Sequence, residues 1–207
     1  KYLLGIRDTE ELEETVAANT FGTVIHETLE VLYKPLIGKT LEQSHIRRMQ
    51  ELVSSELNKS YQKHFLKGSK ARGKNLIALE VMKKYIDLFL HWEINRLRKH
   101  HVRLLGVEEK LERELPQLSG IGSTVRLRGT VDRIEEVDGR LHIIDYKTGR
   151  VAPGDLRLKQ WEELRLDPKK SKAFQVLCYA WLSQDRHHVG ADGFMAGVFS
   201  FKNIGSG

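Results

Sequence analysis

Apolar residues recur at helical spacing through roughly the first hundred positions, then give way to alternation. Asp8, with Glu11 three residues on, has the form of a capping box. The helix it opens is predicted to continue through FGTVIHETLEVLY until Pro35 and Gly38 break it. A second helix is predicted from Leu41 to Leu66, the basic KGSKARGK stretch forms a loop, and a long amphipathic helix follows from Asn75 to His101. After Leu104 the segments GVEEKLERELP, STVRLRGTVDRIEEV and RLHIIDYK read as strands, because apolar and β-branched residues alternate with polar ones. SKAFQVLCYAWLSQD returns to helical spacing, and DGFMAGVFSF reads as a last strand. Helices, a three-strand meander, a helix and a further strand make one α/β or α+β domain over residues 1–207, with 1–104 mainly helical and 105–207 carrying sheet and helix.

Asp138-Gly139, between two β-rich runs, is a strong signal for a two-residue hairpin. Such a turn pairs Val137 with Arg140 and Ile134 with Ile143, and by continuation Asp132 with Asp145 and Thr130 with Lys147. Two carboxylates then face each other at the rim of an apolar face that also bears Ile134, Leu141 and Ile143. Like charges opposite one another are destabilising, more so when partly desolvated. A cation is therefore expected there. Hard oxygen ligands on adjacent strands suit Mg²⁺ or Mn²⁺, and strand alternation points Lys147 to the same face. The plainer alternative is a structural ion pair in which Lys147 neutralises the aspartates, but one lysine leaves net negative charge.

Charge and cysteine content sharpen the picture. The 207-residue chain carries a formal charge of +6, with basic residues clumped in IRRMQ, LKGSKARGK, RLRKHHVRLL and DPKKSK. Each clump alone reads as a solvated face; together they favour a polyanionic partner such as nucleic acid. Cys178 is the single cysteine, which excludes an internal disulfide and points to a reducing compartment, the cytoplasm. No stretch has the length and apolarity of a membrane span. Both termini look trimmed, as though the domain were cut from a longer protein.

The pattern Gly129-x-x-Asp132-Arg133 followed by Asp145-Tyr146-Lys147-Thr148-Gly149 resembles the core of the PD-(D/E)xK nuclease superfamily, and most of all its RecB-like branch, which includes the RecB and AddB helicase–nucleases. That branch has Gly-x-x-x-His on an upstream helix, matched by Gly22 and His26, and Gln-x-x-x-Tyr on a downstream helix, matched by Gln175 and Tyr179. The resemblance implies a restriction-endonuclease-like α/β core, a central mixed sheet flanked by helices, with an N-terminal helical segment. It implies that His26, Asp132, Asp145 and the Tyr146 carbonyl bind Mg²⁺ or Mn²⁺. Lys147 would position water or stabilise phosphate charge, and Gln175 and Tyr179 would support the site or contact DNA. The implied activity is metal-dependent DNA hydrolysis, the exonuclease module of a helicase–nuclease-like repair or recombination protein, acting on single-stranded or end-processed DNA beside a helicase-like region. An acidic residue in the preceding strand is also implied, with Glu108, Glu109 and Glu112 all eligible. Val131 stands where the family has a nominal proline. The four-cysteine iron–sulfur cluster of AddB-type domains cannot be held by Cys178 alone.

Other motifs fail or remain bland. HETLE has Glu30 where a zinc protease needs its second histidine. GKT at Gly38 to Thr40 lacks the upstream glycine and strand of a phosphate loop. The pairs His100-His101 and His187-His188 are expected to be exposed. Trp92, Trp161 and Trp181 are expected to be core or partly buried anchors outside any aromatic cluster. A catalytically silent nucleic-acid-binding or scaffolding module of the same fold is the competing reading. Against it stands the full set of His26, Asp132, Asp145 and Lys147, which binding alone does not need.

Overall fold

The protein is described by a computed structural model over residues 18–66, 74–115, 125–187 and 193–204. The Asp8–Glu11 capping box, most of the KGSKARGK loop and His188 lie outside these residues. Helices α1 (Ala18–Tyr33), α2 (Gln43–Tyr61) and α3 (Lys74–Arg96) precede strands β1 (Val102–Glu114), β2 (Arg126–Val137) and β3 (Arg140–Lys147). Two single-turn helices, α4 (Pro153–Leu156) and α5 (Glu163–Leu166), lead to α6 (Ser171–Ser183) and β4 (Phe194–Ser200). The sheet order is β1-β2-β3-β4, antiparallel except for the parallel β3–β4 pair, so the expected mixed sheet flanked by helices is present.

Each sheet face is covered by its own apolar layer. On one side Val24, Ile25 and Leu29 of α1, Ile46 and Val53 of α2, and Ile86 and Phe89 of α3 pack on Val102, Val137, Tyr146 and Phe201. On the other, Ala180 and Leu182 of α6 pack on Val131, Ile134, Leu141 and Ile143. Where α1 ends, Pro35 begins a short 3₁₀ turn at its second residue and Gly38 takes φ +82°, the break its residues demand.

The Asp138-Gly139 turn has φ of +51° and +85°, the geometry of a type I′ hairpin. Register follows as the turn dictates from Val137–Arg140 to Arg133–Ile144. The expected continuation to Asp132–Asp145 and Thr130–Lys147 does not occur: the ladder ends at Arg133–Ile144, just before the two aspartates would pair. Beyond it the Asp132 carboxylate accepts the Tyr146 N–H, replacing a backbone partner, while β3 stays paired to β4 through Lys147–Ser200. β2 also slips phase here, since Leu127 and Val131 pack with Ile134 on the α6 side although strict alternation would separate them.

Gly129 owes its identity to α6. A Cβ at that position would lie 2.9 Å from Cε1 of Tyr179 and 3.3 Å from Leu182. We expect Gly129→Ala to push the Tyr179 ring away and cost about 1–3 kcal/mol, the range for overpacking. Thermal denaturation of the variant checks this, and an unchanged melting temperature would contradict it.

Several surface expectations need correction. Trp92 does sit in an aromatic cluster, 4.9 Å from Phe199 and 6.0 Å from Phe89 by ring centroids, because α3 lies beneath the far end of the chain. Trp161 is 72% exposed rather than an anchor. His187 is largely buried against Glu109, 3.1 Å away, whereas His100 is exposed as expected and bound to Asp138. Two lysines of DPKKSK are structural: Lys170 donates to the carbonyls of Gly154 and Arg157, and Lys172 pairs with Asp155. Arg96 of the RLRKHH clump turns inward to Glu93 and Glu135.

Candidate functional site

Three elements meet where β2 and β3 part. His26 comes from α1, whose buried Val24, Ile25, Thr28 and Leu29 fix its rotation on the sheet. Gly22 lies one turn earlier, facing Thr148 after β3, where a Cβ would make only ordinary contact. His26 Nδ1 is 3.3 Å from Asp132 Oδ1 and 3.5 Å from Glu108 Oε1. On its other edge Nε2 donates to the Tyr146 carbonyl at 3.1 Å. Burial lowers the His26 pKa, but hydrogen bonds and charge from Asp132 and Glu108 outweigh it and raise the value to about 10. Both edges of the ring thus meet acceptors, the two carboxylates at Nδ1 and the carbonyl at Nε2.

Glu108 resolves the choice among the three glutamates of β1. It falls opposite Asp132, between the Val107–Arg133 and Glu109–Val131 pairs. Glu109 is engaged by His187 and Arg186, and Glu112 by Arg126 and Arg128. Glu108 also has φ +47°, a left-handed conformation that costs a non-glycine residue about 1 kcal/mol or more and concentrates at functional sites. The ligand atoms of His26, Glu108 and Asp132 all lie within 4.8 Å of one another.

Asp145 stands beside this group but turns toward Lys147, whose ammonium is 2.8 Å from Oδ2. That approach is close in distance yet lacks hydrogen-bond geometry, leaving a buried carboxylate oxygen with no directional partner. Burial pushes the Asp145 pKa up and Asp132 adds to the rise, against the lowering effect of Lys147 and His26. A buried carboxylate shared with one lysine, next to a His–Glu–Asp group, is a donor set that a hard divalent cation fits. Metal binding would require a neutral His26, hence loss of its proton.

On the opposite face Gln175 Nε2 donates to the Tyr179 hydroxyl at 2.7 Å, as their shared helix face allows. Burial raises the Tyr179 pKa, and the carboxylates of Asp145, Asp132 and Glu108 act in the same direction, so the phenol stands within their electrostatic reach. The exit of β3 is pinned by Ser200 donating to the Gly149 carbonyl and Asn203 to that of Val151.

A feature not anticipated is the ionic network behind the site. Arg133, 1% exposed, donates to Glu93 at 2.9 Å, pairs with Glu135 at 2.5 Å and stacks 4.6 Å over the Tyr33 ring. Arg96 completes it from the end of α3, contacting Glu93 and Glu135. Two cations and two anions thus balance inside the layer of helices, adjoining Asp132 in the chain.

The order of β-hairpin carboxylates, lysine and flanking histidine helix is the one that the resemblance to PD-(D/E)xK nucleases implies. A family model of the PD-(D/E)XK nuclease superfamily matches residues 1–203, and the chain belongs to that superfamily. No curated protein matches the chain. Among the described residues no helix is long and apolar enough to cross a membrane.

Proposed function

We propose that the chain is a Mg²⁺- or Mn²⁺-dependent deoxyribonuclease that hydrolyses phosphodiester bonds, degrading single-stranded or end-processed DNA from its ends. The observation that carries this reading is the close grouping of His26, Glu108 and Asp132, with the buried Asp145 carboxylate and its partner Lys147 beside it. His26, Asp132, Asp145 and the Tyr146 carbonyl, joined by Glu108, are the residues that would hold the ion. When bound, such an ion lowers the pKa of coordinated water and neutralises phosphate oxygens. Lys147, about one-third exposed, presents a compact positive charge to the attacking water or the phosphate. Tyr146 lends its carbonyl on one side while its N–H ties down Asp132 on the other, so one peptide segment fixes two ligands. Gln175 and Tyr179 support the site, Tyr179 packing over Gly129, or contact the DNA backbone. Service beside a helicase-like region in repair or recombination belongs to the same reading and is supported by the RecB-like order of the motifs.

The test is cleavage of end-labelled linear and circular single-stranded DNA with Mg²⁺, Mn²⁺ or EDTA. Linear DNA should be degraded with either metal, EDTA should stop the reaction, and the circle should survive. Salt-dependent binding without any cleavage would replace this reading by that of a silent binding module. Cutting of the circle would make the enzyme an endonuclease.

A further inference from the structure

A second group of charges adjoins the centre and is unused by the proposed reaction. Glu27 follows His26 on α1, and the end of α2 with the π-helical turn after it (Gln62–Leu66) delivers Ser60, Lys63 and His64 to it. Their i, i+3 and i+4 spacing puts all three on one helix face. Ser60 donates to Glu27 Oε2 at 2.7 Å, His64 Nε2 contacts the same oxygen, and Lys63 binds Oε1. Lys63, His64 and Glu27 line a cleft of about 350 Å³ together with Thr23, His26 and Glu108. Two residues of the candidate centre thus open into the same cleft as a lysine and a histidine. Glu30 also lies on its rim, where Lys34 pairs with it at 3.3 Å.

The arrangement is poorly explained as a stabilising device. Lys63 is 66% exposed in its side chain, and an exposed pair contributes only about 0–1 kcal/mol. Its geometric effect is larger: Glu27 holds a flexible ammonium at the mouth of the centre while using one of its three N–H donors. A strand whose scissile phosphate lies at the centre must carry its neighbouring phosphate away along the surface, and phosphates are taken up chiefly by lysine and arginine. Lys59, one turn earlier, is paired with Glu56 at 2.7 Å and does not line the cleft.

We propose that Lys63, held by Glu27 and flanked by His64, binds the backbone phosphate adjacent to the scissile one, so that the cleft between α1 and the end of α2 is the path of the substrate strand. The identity of that strand rests on the nuclease reading; the contact itself is tested separately. Binding of a fluorescein-labelled single-stranded oligonucleotide is followed by anisotropy against salt, in EDTA and in Ca²⁺, for wild type, Lys63→Ala, Lys63→Arg and Lys59→Ala. One lost phosphate contact lowers the log–log salt slope by about 0.7 for single strands. Lys63→Ala should show that loss with weaker binding, while Lys63→Arg and Lys59→Ala should keep the wild-type slope. Circular dichroism verifies that each variant is folded. An unchanged slope and affinity in Lys63→Ala overturns the inference, as does a wild type that shows no salt-dependent binding. If wild type never cleaves but Lys63→Ala loses the slope, the nuclease reading fails and this contact stands. If wild type cleaves and the slope is unchanged, the contact fails alone.

Discussion

Asp145→Asn is expected to abolish hydrolysis while raising the melting temperature of the protein in EDTA. The carboxylate is 2% exposed, has one oxygen without a directional partner and feels the charge of Asp132. Lys147 offsets only part of the cost of burying the ionised carboxylate, and an amide of the same shape removes that cost. A gain of about 1 kcal/mol corresponds to roughly 2–4 °C for a chain of this size. Activity should move the other way. Removing an anionic ligand and its pairing with Lys147 forfeits about 4 kcal/mol of transition-state stabilisation, roughly a thousandfold in rate. Thermal melts in EDTA and single-turnover cleavage with Mg²⁺ read the two effects independently. A variant that melts well below wild type would mean that Asp145 serves the fold; one that still cleaves at more than a tenth of the wild-type rate would remove it from the site.

Arg133→Met is expected to be the most damaging single change to stability. It leaves Glu93 and Glu135, both fully buried, with Arg96 as their shared cation. Breaking a buried pair from one side costs about 3–5 kcal/mol, or on the order of 10 °C in melting temperature at this chain length. The pH dependence has a definite sign. Burial raises the Glu93 pKa, but Arg133 and Arg96 outweigh it and hold the carboxyl below its usual range. In wild type that contribution is present above the unfolded carboxylate pKa and is lost as pH falls through the depressed folded value. In the variant the stranded carboxylates are relieved by protonation, so the deficit should narrow as pH falls from neutral toward about 4. A deficit that is small at pH 7, or constant with pH, would show that the network is not charged as described.

How much of this was legible in the chain depended on whether the determining contacts were local. Asp138-Gly139 carries its own left-handed geometry, so the hairpin and its register through Arg133–Ile144 could be worked out beforehand. The arithmetic failed at Asp132 because it assumed that the backbone ladder continues, whereas a side chain takes over the Tyr146 N–H. Glu108 could not be told from Glu109 or Glu112 because no dipeptide like Asp138-Gly139 marks a register between their segment and the next in the sequence. The folded ladder alone brings Glu108 opposite Asp132. The pairing of Glu93 with Arg133 joins positions 40 residues apart, which no local pattern reveals. Trp92 was misplaced for the same reason, since Phe199 reaches it from the last strand. His26 and Lys147 became candidates because motif order substitutes for distance, and the fold places them on either side of Asp132 and Asp145.

The hydrogen bond from His26 to the Tyr146 carbonyl closes a loop of 120 positions. Loop closure of that length is completed only when α1 has docked across the finished hairpin. During synthesis, therefore, a chain that has emerged only as far as β2 holds His26, Glu108 and Asp132 but not the segment that orders them. On the nuclease reading proposed above, the ligand set would close only once β3 has emerged, so the growing polypeptide would carry its basic residues, and with them a hold on nucleic acid, before it could damage it.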